Sequence, residues 1–243
     1  MRRVLILICY SFPLLLNAGQ LNAAGETGKP VGWKGEGELG FTSTSGNSDS
    51  ETLTANLGIS KTIEQWKHVV TLKTLQAESG NVKSANSRVL TARSEYSISE
   101  KSYVFGKLRY ENDKFSGFEY QTSLAFGIGS RVIENEQQLL DMYIGLGTGS
   151  SKNKVSGETD DDAIVTAGLL YEYQISKTAT FNQNLSVEDG DDNTRSESET
   201  SLKLKIDGNL SAKIAYLAKR NSRVPAGTEK SDKVTTVSLV YGF

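Results

Sequence analysis

Cysteine is almost missing from this chain: Cys9 is the one example in 243 residues. That excludes a disulfide-stapled scaffold and a thiolate metal site. Histidine is equally scarce, with His68 alone, so imidazole-rich metal centres are excluded too. Proline occurs three times, as Pro13, Pro30 and Pro225, and none falls inside a candidate strand, where a missing N–H would break the ladder. Past the N-terminus no apolar run approaches the roughly 20 residues that a membrane-spanning helix needs. A net charge of only −2 gives no basic surface for nucleic acid. What these absences leave open is an all-β protein, either soluble or a membrane barrel whose strands need only about 10 alternating residues each.

The first residues read as a secretory signal. Arg2 and Arg3 form its charged start and Val4 to Leu16 its apolar centre, and Asn22-Ala23-Ala24 before Gly25 places cleavage after Ala24. Cys9 lies too early, and behind too large a residue (Ile8), to be a lipid-attachment cysteine. Loss of residues 1–24 removes two arginines and no acid, which takes the net charge from −2 to −4 and leaves no cysteine. The expected organisation is a signal peptide over 1–24, a short segment over 25–31 and one β-domain over 32–243.

From Gly32 onwards alternation recurs to the last residue. It predicts about twelve strands: 32–45, 51–61, 66–78, 88–98, 102–112, 119–133, 138–149, 163–176, 179–188, 196–207, 210–220 and 233–243. Leu53, Ala55, Leu57 and Ile59 share one face, opposite Thr52, Thr54, Asn56, Gly58 and Ser60. The final strand sets Val237, Leu239, Tyr241 and Phe243 against Ser238, Val240 and Gly242. Short connections (62–65, 99–101, 134–137, 176–178, 207–209) alternate with longer polar ones (46–50, 79–87, 113–118, 150–162, 189–195, 221–232). Short turns at one end and long loops at the other are the pattern of an up-and-down outer-membrane β-barrel. An even strand count then puts both termini in the periplasm of a Gram-negative bacterium.

The two faces support this reading. Tyr96, Tyr173, Tyr241 and Phe243 fall at the short-turn ends of outward faces, and Tyr110, Phe118 and Tyr120 near the long-loop ends, as two interfacial rims of aromatics would. The other face is charged: Lys34, Glu36, Glu38, Lys73, Arg93, Glu95, Lys107, Arg109, Glu111, Arg131, Asp141, Glu172, Lys203, Lys205 and Lys213. A charge facing mid-bilayer lipid costs about 2–4 kcal/mol, so these belong in a lumen.

Few residues suggest chemistry. His68 shares a face with Val70 and Leu72, which points it outward near the periplasmic rim, the wrong place for a base activating a nucleophile. Asp160-Asp161-Asp162 and Asp189-Gly190-Asp191-Asp192 are acidic clusters in expected external loops. They lack the spacing of a calcium loop, so a solvated loop tip is favoured over weak divalent-cation binding near lipopolysaccharide. Glu36, Glu38, Arg93, Glu95, Arg109 and Glu111 read better as a lumenal salt-bridge network than as an acid–base site. Gly35, Gly37, Gly40, Gly127 and Gly129 read as strand glycines that ease curvature.

The stretch Trp33-Lys34-Gly35-Glu36-Gly37-Glu38-Leu39-Gly40, followed by Ser45-Gly46-Asn47-Ser48-Asp49, resembles the opening strand and loop of the YdiY-like family. This is a family of uncharacterised proteins described as salt-induced outer-membrane proteins. Arg93-Ser94-Glu95-Tyr96, Tyr103-Val104-Phe105-Gly106, Glu111-Asn112-Asp113 and Gly127-Ile128-Gly129 continue the resemblance, which covers roughly 31–243. It implies an outer-membrane barrel and supplies no catalytic residue, cofactor or metal. The last strand (Thr236, Ser238, Tyr241, Phe243) also resembles the signal read by the barrel-assembly machinery. Outer-membrane lipid and lipopolysaccharide are the other expected partners, and nucleic acid is not one. The expected role is non-enzymatic: a narrow polar channel or a structural envelope protein, linked to salt response by the resemblance. The rival is an outer-membrane enzyme acting on lipids or peptides.

Overall fold

The computed structural model describes residues 32–44, 50–80, 82–114, 116–224 and 228–243. The expected signal peptide, the segment 25–31 and the Ser45–Asp49 motif lie outside them. Twelve strands account for nearly all the described chain: β1 (Gly32–Thr44), β2 (Ser50–Ile63), β3 (Trp66–Ser79), β4 (Val82–Ser97), β5 (Ser102–Asp113), β6 (Phe118–Glu134), β7 (Gln138–Asn153), β8 (Thr159–Gln174), β9 (Ala179–Gly190), β10 (Thr194–Asp207), β11 (Leu210–Asn221) and β12 (Ser231–Gly242). Each pairs antiparallel with its sequence neighbours, and β1 pairs with β12 to close the barrel. Closure leaves no unpaired edge along the paired rows, which is what lets strands lie in lipid. The expected fold class and strand number are those observed.

Side chains divide as the alternation requires. Apolar residues such as Leu53, Leu57, Val70, Leu72, Leu124, Phe126, Ile128 and Ile144 are exposed on the outside. Glu38, Glu95, Lys107, Arg109 and Glu111 are buried inside. The core of this protein is therefore polar, and its greasy surface faces out. Tyr110 and Tyr120 stack with ring centres 6.4 Å apart. Tyr96 packs against Trp66 at 5.0 Å at the other end.

Three expectations need correction. The loops expected at 79–87, 150–162 and 189–195 are mostly strand: β4 begins at Val82, β7 runs to Asn153, β8 begins at Thr159 and β9 runs to Gly190. Above the lipid both strand faces are wet, so Ser, Thr, Asp and Asn extend the ladder without any apolar alternation to reveal it. For the same reason Asp160–Asp162 lie within β8, and Asp189 and Gly190 end β9, while Asp191 and Asp192 lie in the connecting turn as expected. Phe118 is not part of the outer rim. A bulge between Phe118 and Tyr120 shifts the register, and Phe118 is only 7% exposed.

The wall is uneven. β6 and β7 pair from Phe118↔Asn153 down to Glu134↔Leu139. β1 and β12 pair at five positions, from Glu36↔Gly242 to Gly40↔Ser238. The C-terminal residue extends that short seam: Gly35 N–H donates to the Phe243 carbonyl at 2.7 Å, and Phe243 N–H donates back at 2.8 Å. The Phe243 ring lies over Gly35, where a Cβ would come within 2.2 Å of it.

Candidate functional site

The lumen holds the chemistry of this protein, and its middle is bridged from wall to wall. Glu111 of β5 accepts from Lys219 of β11, directly opposite in the strand order, at 3.0 Å. Arg109 Nη2 meets Glu111 at 2.5 Å and Glu197 of β10 at 3.3 Å. Lys73 of β3 donates to Glu199 at 2.8 Å, and Lys213 joins Glu199 (2.9 Å) to Glu38 (3.1 Å). Lys107 donates to Glu188 of β9 at 2.9 Å, and Glu188 also pairs with Arg195. Alternation along β5 and β10 puts Lys107, Arg109 and Glu111, and Glu197 and Glu199, on one face of each strand. Each inward row thus presents charges to the far wall. Six cations and five carboxylates form this septum, so nearly every charge has a partner, as burial demands.

Towards the short-turn end the lumen is filled differently. Tyr103 and Phe105 point inward from β5 and are 0% and 3% exposed. The Arg93 guanidinium lies 4.4 Å from the ring centres of both Phe105 and Tyr143, within cation–π range. The Tyr103 hydroxyl accepts from Arg93 at 2.9 Å and donates to Asp141 at 2.5 Å. These rings fit because their paired residues on the neighbouring strands, Gly129 beside Tyr103 and Gly168 beside Tyr143, have no side chains. A Cβ on Gly129 would lie 2.2 Å from the Tyr103 ring, and one on Gly168 would lie 2.5 Å from the Tyr143 hydroxyl. Gly127 and Gly129 therefore serve ring packing as well as curvature. Below the septum remains a chamber of about 360 Å³. Its charged lining is Lys67, Lys73, Arg93, Lys107, Arg109 and Arg131 against Glu95, Asp141 and Glu197. Above the septum lies a vestibule of about 280 Å³ beside β12.

The structure brings most of the expected charges together. Glu38, Lys73, Lys107, Arg109, Glu111 and Lys213 belong to the septum, while Arg93, Glu95, Arg131 and Asp141 belong to the ring cluster. Glu36 and Lys203 pair at 2.9 Å nearer the rim, and Lys34, Lys205 and Glu172 are exposed there. Sequence reasoning missed Glu188, Arg195, Glu197, Glu199 and Lys219 as members, and Tyr103 and Phe105 as lumenal rings. The signal was available, since Tyr103 and Phe105 share parity with Lys107, and Glu197 and Glu199 with Lys203.

His68 does face outward, stacked on Trp66 at 5.7 Å. Its Nδ1 is 2.9 Å from Ser94 Oγ. This pair lacks what a hydrolase needs: the strand amides around it are committed to the β2–β3–β4 ladders, so no free donors are aimed at an oxyanion. Among the described residues no three His, Cys, Asp or Glu side chains converge as metal ligands. Asp162 instead accepts from the Asp192 N–H at 3.2 Å, and Asp192 pairs with Arg223 at 2.9 Å.

A family model described as "Protein of unknown function, DUF481" matches residues 37–243. The uncharacterized protein YdiY of Escherichia coli (strain K12) is 27% identical over 216 residues, covering 86% of this chain and 83% of that protein. Among solved structures, the COG4313 outer membrane channel from Pseudomonas putida F1 superposes with a TM-score of 0.53 at 10% identity, over 92% of this chain and 100% of that one. The translocator domain of autotransporter NalP from Neisseria meningitidis gives 0.51 at 15% identity, over 89% and 90%. These likenesses show the fold, an outer-membrane-type barrel.

Proposed function

The chain belongs to the DUF481 family, and from that premise we propose that it is a narrow outer-membrane channel held shut by the ion-paired septum across its lumen. The observation that carries this reading is the order of features along one lumen: a vestibule, a band of bridges from β3 and β5 to β9, β10 and β11, and a chamber. A barrel that served only to be rigid would gain more from well-packed apolar residues, because buried ion pairs contribute little net stability. Pairs that meet from opposite walls can part without breaking the wall.

Apart from the septum members, which are paired among themselves, the chamber presents Lys67, Arg93 and Arg131 against Glu95 and Asp141, and this excess of positive charge favours small anions as the permeant class. Within the septum Lys73, 36% exposed at its side chain, is the member that dissolved salt screens most, so opening should become more frequent as ionic strength rises. Planar-bilayer recording tests this reading. Under a potassium chloride gradient the protein should be mostly closed, with brief openings whose reversal potential lies towards chloride and whose frequency rises with salt. Complete silence at all voltages, or cation selectivity, would refute it.

A further inference from the structure

The outer wall of β1 to β4 carries a charge that no protein group answers. Lys61 of β2 alternates outward with Leu57, Ile59 and Ile63, and Leu57 and Ile63 are exposed. Its ammonium lies 4.8 Å from the ring centre of Trp33, a cation–π distance. No carboxylate among the described residues pairs with it. The register continues this row across the wall as Trp33↔Lys61, Lys61↔His68 and His68↔Ser94. His68 is exposed. With Ser94 donating to Nδ1 at 2.9 Å, the ring proton sits on Nε2 and is available to an outside acceptor. Trp66 stacks on His68, and Tyr96 packs on Trp66. Two nitrogen donors thus stand side by side among aromatic rings at the short-turn end. The same end of other strands offers no such pair: outward there are Val104 on β5, Gln138 and Tyr173 on β7 and β8, and Leu210 and Tyr241 on β11 and β12.

Further up the same outer wall runs a largely apolar groove of about 460 Å³. Gly37 floors it, and Leu39, Leu57, Leu72, Leu239 and Tyr241 wall it. Thr74 and the inward Glu38 and Asn56, which bond to each other at 3.0 Å, complete the lining. On β1 the groove is separated from the Trp33 row by Gly35, which the Phe243 ring covers. Lys61 and Leu57 are four residues apart on β2, about 13 Å at the rise of a strand. An acyl chain reaches that far from its headgroup.

We propose that this surface binds an anionic glycerophospholipid. Its phosphate is held by Lys61 and His68 between Trp33 and Trp66, and one acyl chain lies in the groove over Gly37. Aromatic rings and snorkelling lysines belong at headgroup depth, where an unpaired ammonium finds its counter-charge on lipid. A zwitterionic lipid offers the groove a chain but no net charge to balance Lys61, so the site selects a negative headgroup. The proposal rests on the barrel spanning the outer membrane with its short turns on the periplasmic, phospholipid side. It needs no movement of the septum, so silence in bilayer recordings leaves it standing.

Trp33 and Trp66 are the two tryptophans of the chain, so its fluorescence reports on this site. The test places the refolded protein in phosphatidylcholine vesicles. Phosphatidylglycerol or, in parallel, phosphatidylethanolamine is then added, brominated on the acyl chains near the headgroup to quench tryptophan. At low mole fraction the phosphatidylglycerol should quench several-fold more strongly. Lys61→Gln with His68→Gln should make the two lipids equal, whereas Lys61→Arg should keep the difference. Lys177→Gln, in the turn between β8 and β9 at the same end of the opposite wall, should also keep it. Gly37→Leu, which fills the groove, should at least halve it. Heat-modifiable migration on a gel shows that each variant is folded. Equal quenching in the native protein, or a difference that survives loss of both Lys61 and His68, would overturn the proposal. A difference that falls as far with Lys177→Gln would assign it to general attraction by the basic rim and overturn the site. A difference unmoved by Gly37→Leu would overturn the seating of the chain.

Discussion

The wall around β6 and β7 and the wall around β12 and β1 differ in how far their strands are paired. The first is paired along its full length, and its inward glycines are covered by Tyr103, Phe105 and Tyr143. The second is paired at five positions, and Gly37 faces open space. In the first, glycine is compulsory because another group occupies the place of its side chain. In the second the glycines are mixed: Gly37 leaves room unused, whereas a Cβ on Gly35 would meet the Phe243 ring and one on Gly40 the Thr54 hydroxyl. A closed barrel can thus concentrate its rigidity in one sector and keep slack in another, and the slack sector is the one bordering the vestibule.

The largest expected effect comes from the septum, which β6, β7 and β12 do not supply. Glu188→Ala leaves Lys107 and Arg195 without their nearest carboxylate, and breaking a buried pair in this way costs about 3–5 kcal/mol. Urea unfolding of the refolded protein in detergent, followed by heat-modifiable migration, should show that loss. The comparison itself is tested by one substitution made twice. A Cβ on Gly127 would lie 2.2 Å from the Ile144 carbonyl oxygen and 2.8 Å from the Phe105 ring. Gly127→Val should therefore destabilise by about 3 kcal/mol or prevent folding. Gly37→Val meets nothing within 4 Å and should change stability by about 0.5 kcal/mol at most, with any gain coming from the β preference of valine. Equal effects at the two sites would break the distinction between the walls. Tyr103→Phe keeps the ring but removes the hydroxyl shared by Arg93 and Asp141, so a loss of about 2 kcal/mol is expected. The same unfolding assay measures it, and a neutral result would mean that ring packing alone orders that wall.

Much of this was legible in the sequence because a barrel's faces alternate strictly. Leu53 to Ile59 and Val237 to Phe243 announce an outward face, and the charges from Lys107 to Glu111 an inward one. The strand bounds at Trp66, Ser102, Gln138, Ala179 and Leu210 were readable from the short turns before them. Two things hid the rest. Above the lipid, residues such as Ser84, Ser151 and Asp161 face water on both sides, so β4, β7 and β8 look like loops there. The second is pairing across the lumen, which depends on how twelve strands close. Nothing local tells Glu111 that Lys219 stands opposite, or that β1 parts from β12 above Gly40.

The central claim is that the septum, and not the bulk of the lumen, keeps the channel shut. It is tested most directly by single-channel recording of Glu111→Gln with Glu197→Gln, beside Glu36→Gln with Lys203→Gln. The first pair cuts bridges to Arg109, Lys219 and Lys73, and the second removes one ion pair nearer the rim. The account predicts that the septum variant spends at least several-fold more time open than the native protein, while the rim variant stays like the native. A septum variant as silent as the native, or a rim variant that opens equally, would contradict it.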